Sequence, residues 1–358
     1  MVDFSVYKGK RVLITGHTGF KGSWLAVWLH ALGAKVWGYA LDPYGEKDNF
    51  VLSGVGAKIE GDIRADVRDR EKLHEAFAGL QPEIVFHLAA QPLVRLSYEH
   101  PVETYEVNVM GTVNVLEEVR QSPSARVAVM VTSDKCYENR ERWWGYREDE
   151  PLGGYDPYSS SKGAAEIAIS AWRRSFMNPL CYEKHGKAVA SARAGNVVGG
   201  GDWAADRIIP DCIRAIEVGE PVAIRSPQAV RPWQHVLEPL CGYLTLGAKL
   251  WSNPAKFAQA WNFGPSPGSV VPVWDVARMV VEHYGAGALK DASTPGALHE
   301  AKLLALDTSK ARYELGWTPK WSICTTIAKT VEWYMRYAKE DMHLLCLRQI
   351  EEYSSAGQ

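Results

Sequence analysis

The residues best suited to chemistry are Tyr158 and Lys162, in Tyr158-Ser159-Ser160-Ser161-Lys162. Four positions apart, they share one face of a helix, a turn from each other. A cation lowers the pKa of a neighbouring phenol, so Tyr158 is expected to act as a base near neutrality. Asp156-Pro157, just before them, has the composition of a helix start. A second cluster, Thr132-Ser133-Asp134-Lys135-Cys136-Tyr137, sets a hydroxyl, a carboxyl and an amine in succession at the end of the apolar run 126–132. Elsewhere such a stretch is a Ser/Asp turn with a solvated lysine. At a strand end it faces the crevice in which open α/β sheets hold their ligands.

A third motif explains what these groups would work on. Gly16-His17-Thr18-Gly19-Phe20-Lys21-Gly22 follows the strand 11–15 and opens a helix that runs to a cap at Gly33. Glycines at this GxxGxxG spacing let the backbone turn tightly and approach a pyrophosphate lying on the helix N-terminus. Asp42, past the strand 35–39, is placed to bond the adenosine ribose and to repel a 2′-phosphate, so NAD is expected over NADP. Arg64, in Gly61-Asp62-Ile63-Arg64 where the adenine end passes, is a cation that would tolerate the extra phosphate, and Asp62 is alternatively a turn former. Leu88-Ala89-Ala90-Gln91 offers small side chains for a nucleotide to lie against. His17 and Lys21 either tune cofactor affinity through the phosphates or, for Lys21, stand solvated at the helix start.

These motifs need a sheet to hold them. Strands are expected at 11–15, 35–39, 84–88, 126–132 and 188–192, with a shorter one near 58–61. Helical spacing covers 69–79, 102–120 and 160–176 between them. The fold class is therefore α/β, a doubly wound parallel sheet (Rossmann) over residues 1–196, with a smaller, interleaved α/β substrate-binding lobe in 197–358. Segments 305–315 and 324–337 of that second part are expected to pack back on the first, and the tail after Glu351 to be disordered. With 46% hydrophobic residues, 23% charged and a net charge of −2, the chain offers no basic field for nucleic acid or an anionic membrane. Six scattered cysteines form no C-x-x-C pair, so neither disulfides nor a metal site is expected, and reduced thiols fit a cytoplasmic protein. The start, Met1-Val2-Asp3-Phe4, has no apolar leader, and no apolar run nears about 18 residues.

Together GHTGFKG, LAAQ, Asn108 of Asn108-Val109-Met110-Gly111-Thr112, TSDKCY, YSSSK and Arg193-Ala194-Gly195-Asn196 resemble the extended short-chain dehydrogenase/reductases that act on nucleotide sugars. Asp134-Lys135 stands where the dTDP-glucose and GDP-mannose dehydratases usually carry Asp-Glu. In this, in Gly199-Gly200-Gly201-Asp202-Trp203 and in Arg231-Pro232-Trp233-Gln234-His235-Val236, the chain resembles the CDP-glucose branch. The resemblance implies an internal redox dehydration with NAD unconsumed and with Asn108 at the cofactor side. Tyr158 takes the 4-hydroxyl proton, with Lys162 on the ribose and Ser133 bonded to the same oxygen. Lys135, neutral at that step, takes the C5 proton, and a protonated Asp134 expels the C6 hydroxyl as water. Arg231 and Asn196 would hold the substrate phosphates, with Arg207 either joining them or remaining a helix-terminal surface residue. The resemblance also implies a homodimer or dimer of dimers through 102–120 and 160–176. A 4-epimerase would not need Asp134-Lys135, and an NAD-sensing protein without catalysis would not need Ser133, Tyr158 and Lys162.

Overall fold

In the computed structural model residues 3–293 and 303–356 are described; Met1 and Val2 at the start and the last two residues of the tail lie outside them. Seven parallel strands make the central sheet: β1 Arg11–Thr15, β2 Lys35–Ala40, β3 Gly61–Arg64, β4 Ile84–His87, β5 Val127–Val131, β6 Ala188–Arg193 and β7 Ala260–Asn262. Their order is β7-β6-β5-β4-β1-β2-β3. Direction of travel across the sheet reverses between β1 and β4, which leaves a crevice above their carboxyl ends.

The central strands β1, β4 and β5 are buried on both faces and read accordingly as almost continuous apolar runs. Val127, Val129 and Val131 point to one side of β5, Ala128 and Met130 to the other. The main helices are α1 Phe20–Ala31, α2 Arg70–Leu80, α3 (the run 101–121), α4 Pro157–Ser175, α5 Ile208–Glu217, α6 Leu237–Ser252, α7 Val273–Tyr284, α8 Ile323–Arg336 and α9 Met342–Ser355. Helices α2, α3 and α4 cover the Ala128 face, while α1 and α6 cover the other. Three small strand pairs complete the C-terminal half: Val222–Ile224 with Leu289–Asp291, Val230–Pro232 with Val270–Pro272, and Val197–Val198 with Gln234–His235.

Three expectations need correction. The short strand near 58–61 lies instead at Gly61–Arg64, because Lys58 and Ile59 donate back to Val55 O in a tight turn and the ladder opens only at Glu60 N to Val36 O. Helix 102–120 is real but contains a π turn, Glu106–Met110, which sets Asn108 inward. The tail is not disordered through Ala356. Asp341 caps α9, and Met342, Leu345, Cys346, Gln349, Ile350 and Tyr353 form one buried face at helical spacing. That face packs on α1, with the rings of Trp28 and Tyr353 5.9 Å apart. Tyr353 OH donates to Glu238 Oε2 at 2.6 Å, and Glu238 Oε1 accepts from the Lys320 and Trp321 amides. The acid's burial is met by three donors.

Tyr353→Phe removes one of those donors from a buried carboxyl group. A loss of about 1–3 kcal/mol is expected, read as a lower urea midpoint at unchanged slope; a midpoint equal to the parent's would show that the tail contributes no more than area.

Candidate active site

The Gly-rich loop is shaped by contacts that only glycine permits. Gly16 has φ +77, and a Cβ there would lie 2.6 Å from Ala89 N, while one at Gly22 would lie 2.0 Å from Gly16 O. The loop thus folds flat onto the start of α1 and against the residues after β4, leaving backbone N–H groups at the helix N-terminus open to an anion. Thr18, Phe20 and Lys21 line the cleft with the three glycines, as do Asp42, Leu88, Ala89 and Ala90. This cleft, about 950 Å³, runs over the β1–β4 crevice and on to Ser133, Asp134, Lys135, Tyr158, Lys162, Asn196, Arg207 and Arg231.

Five residues expected at the cofactor do not line this cleft. His17 is fully buried, its Nε2 2.7 Å from Asp62 Oδ1 and its ring where a Cβ on Gly38 would sit. Burial therefore lowers the His17 pKa, although Asp62 opposes the shift. Asp62 is no turn former: on β3 it also takes Arg64 at 2.6 Å. Arg64 lies 3.9 Å from Asp42 as well, so this cation already has two acids beside it. Ile63 packs with the sheet core. Asn108, on the π turn, accepts from Gln91 N and donates to Gln91 O and to Ser161 Oγ, and so ties the loop after β4 to α4. Gln91 Oε1 in turn accepts from Leu93 N.

Helix α4 begins where Asp156 accepts from the Ser159 amide at 2.9 Å, with Pro157 in the first turn. Ser97 Oγ accepts from Tyr158 N at 3.1 Å, which fixes the first turn against the neighbouring wall. Tyr158 and Lys162 are both buried and both face the cleft. The expected fall in the Tyr158 pKa is not what the structure gives. Burial pushes the phenol up to about 12, partly offset by a hydrogen bond from Ser133 and reinforced by the charge of Asp134. Burial also brings Lys162 down to about 8. In this site desolvation outweighs the opposing Ser133 hydrogen bond and the Arg207 charge.

Opposite them Ser133 Oγ donates to Asp134 Oδ1 at 2.9 Å and accepts from Lys135 N at 3.2 Å. Asn196, at φ +51, donates Nδ2 to Asp134 Oδ2 at 3.0 Å. Its neighbour Gly195 is glycine for a direct reason: a Cβ would fall 2.0 Å from the Asp134 carboxyl carbon. Lys135 is half-buried, its Nζ 5.9 Å from the centre of the Tyr158 ring. Lys21 is not the solvated lysine of a helix start. Burial lowers it to about 8, Arg207 and Lys162 push the same way, and Asp134 and Asp202 oppose them. Arg207 precedes α5, but its head turns inward to Asp202 at 2.5 Å rather than outward. Arg231 lines the same end of the cleft.

Beneath these groups lies a network that the motifs did not reveal. Glu166 and Arg193 form an ion pair at 2.8 Å with 2% and 4% side-chain exposure. Glu166 also accepts from Thr132 Oγ1 at 2.5 Å and Ser191 Oγ at 2.8 Å, while Arg193 donates to Tyr137 OH at 2.7 Å and to Glu148 O at 3.0 Å. Tyr137 OH passes on to Asn262 on β7. The available signal was position: Glu166 falls one turn after Lys162 on the same face, and Arg193 ends β6.

The NAD dependent epimerase/dehydratase family matches residues 12–250. The chain is 51% identical over 357 residues, 99% of each chain, to the CDP-glucose 4,6-dehydratase of Salmonella typhimurium. Among solved structures it resembles MoeE5 in complex with UDP-glucuronic acid and NAD, at 27% identity and TM-score 0.75, over 91% of this chain and 99% of that one. It also shares the fold of the dTDP-glucose 4,6-dehydratase of Bacillus anthracis, at 20% identity and TM-score 0.74, over 92% and 97%.

Burial alone would raise the pKa of Glu166, but the Arg193 charge and the three hydrogen bonds hold it below the usual 4.5. A group depressed in the folded state stabilises above its unfolded pKa and loses that contribution as pH falls through the folded value. Glu166→Gln leaves Arg193 buried without its counter-ion. It is expected to cost about 3–5 kcal/mol at neutral pH and to flatten the stability curve below pH 4.5; urea unfolding across pH that tracks the parent would refute both statements.

Proposed function

The chain belongs to the NAD dependent epimerase/dehydratase family, and on that premise we propose that it converts CDP-glucose to CDP-4-keto-6-deoxyglucose, a precursor for deoxysugar synthesis. The cofactor is NAD. The loop glycines that a Cβ would fill, the open start of α1 and Asp42 at the cleft mouth suit a dinucleotide pyrophosphate and ribose. The observation that carries the reading is a second acid/base pair, Asp134 and Lys135, in the same cleft as Ser133, Tyr158 and Lys162. An epimerase would have no use for it.

When bound in this cleft, NAD would accept the hydride from C4 and return it to C6. Tyr158 takes the proton of the 4-hydroxyl. Its high pKa in this site makes the Ser133 hydrogen bond and the Arg207 charge necessary, because each stabilises the phenolate. The ketone so formed acidifies C5, and Lys135 removes that proton. Asp134 gives a proton to the C6 hydroxyl, which leaves as water while the C5–C6 double bond forms, and Lys135 hands a proton back to C5 as the hydride taken from C4 returns to C6. Asn196 serves both charge states of Asp134: its amide donates to the carboxylate and, turned over, presents an oxygen to the acid. Arg231, Arg207 and Asn196 face the substrate phosphates.

The outer faces of α3 and α4 suit a second copy of the chain. Val102, Met110 and Ile167 are 70%, 51% and 60% exposed on adjacent helices, and Tyr105 meets Ser160 between them. We assign this surface to a homodimer, which can pair again.

Offered CDP-glucose, dTDP-glucose, GDP-mannose and UDP-glucose, the enzyme should form a 4-keto-6-deoxy product fastest from the first. In heavy water deuterium should enter at C5, and a label placed at C4 should reappear at C6 of the same molecule. Tyr158→Phe and Lys135→Met should each lower turnover by about two to four orders of magnitude with little change in nucleotide-sugar binding. A product that is only the C4 epimer refutes the dehydratase reading, and parental dehydration by Lys135→Met removes Lys135 from its role.

A further inference from the structure

One cluster in the cleft is used neither by the cofactor motifs nor by the acid/base groups. Asp206, two positions before α5, presents Oδ1 to Arg225 at 2.6 Å and to Arg95 at 3.4 Å. The two arginines come from opposite walls. Arg95 belongs to the short helix Val94–Glu99 after β4, and Arg225 follows the strand Val222–Ile224 of the C-terminal half. All three residues line the cleft.

Three features mark this contact as exchangeable. Among the described residues each guanidinium makes one ion-pair contact, to the same oxygen, where its fork can offer two parallel bonds to a carboxylate or phosphate. The three side chains are 38–46% exposed, so water and salt compete for them. Asp206 also has φ +61, a left-handed backbone that L residues occupy at a steric cost. The neighbouring pair is built otherwise. Asp202 is 5% exposed, binds both Arg207 and the Ala204 amide, and has Tyr334 OH on its carbonyl, so that carboxylate is part of the wall.

On the nucleotide-sugar reading above, we propose that Asp206 is an internal stand-in for the substrate diphosphate. It holds Arg95 and Arg225 together across the cleft and gives them up to phosphate oxygens. Two guanidinium groups on one carboxylate leave an excess positive charge that draws in a dianion. The diphosphate has oxygens enough to fill both forks. Once the carboxylate is displaced, two single-point ion pairs are exchanged for forked contacts to phosphate oxygens. Asp206 is then a residue that weakens substrate binding in order to keep the two walls of the cleft in register before substrate arrives.

The test is calorimetric titration of CDP, UDP, TDP and GDP into the parent and into Asp206→Asn, which keeps the shape and removes the charge. Asp206→Gly, which accepts the same backbone angle without strain, is the second variant. Whichever nucleoside diphosphate the parent binds most tightly should bind both variants about three- to tenfold more tightly, and NAD titrated separately should bind all three proteins equally. Unchanged or weaker diphosphate binding by both variants overturns the stand-in, and so does a gain shared equally by NAD. A parent that binds one of the four while the variants match it removes this inference alone; a parent that binds none of them removes the nucleotide-sugar reading, and the stand-in with it.

Discussion

The structure depends most on the buried ion pair between Glu166 and Arg193. Taking both charges out of water is costly, and the pair is tolerable only because nearly every remaining polar atom of Glu166 finds a donor in Thr132, Ser191 or Arg193. Those donors lie at the ends of β5 and β6, and Arg193 extends the network to Tyr137 and, through it, to Asn262 on β7. Three strand ends and α4 are thereby held to one geometry. Ser133, Asp134 and Lys135 sit one to three residues beyond Thr132, and Lys162 one turn before Glu166, so these cleft residues inherit their spacing from a pair that does not itself line the cleft.

A second constraint acts at the other end of the crevice. Gly16, Gly22, Gly38 and Gly195 each occupy a position where a Cβ would strike backbone or a functional side chain. Their absence of side chain lets His17 slide under the loop and lets the Asp134 carboxyl lie flat on the chain after β6. His17 with Asp62 then braces the loop against β3 from below, while Arg64 closes the same acid from the solvent side.

Between these two anchors the cleft is crowded with charge. Lys21, Lys162 and Arg207 come close enough to influence one another, and Asp134 and Asp202 are interleaved with them. Desolvation shifts three of these groups toward their neutral forms, raising Tyr158 and lowering Lys21 and Lys162, whereas Asp202 holds Arg207 charged against its own desolvation. Such a site is poised to change with occupancy. A dianionic substrate group and a cationic cofactor ring would alter the field at every one of these groups.

How much of this was legible beforehand follows from the range over which each feature is decided. The Gly16–Gly19–Gly22 spacing, the shared face of Tyr158 and Lys162 and the buried strands are set by local geometry and hydrophobic period, so the sheet, the Gly-rich loop and the common face of Tyr158 and Lys162 on the cleft could be read from the chain alone. The end of the chain misled because α9 has only a modest apolar stripe, and its helix is justified by α1 and Glu238, far away in sequence. The directions of His17, Arg207 and Lys21 were open for the same reason. The fate of the Tyr158 proton went opposite to expectation: the spacing placed a cation beside it, but only the assembled core determined how much water was removed. Burial and the partner of a buried charge are properties of contacts between distant segments. The sequence determined which chemistry the chain carries; tertiary structure decided the protonation states and pairings in which it is held, because those energies arise only once water has been excluded from between the elements.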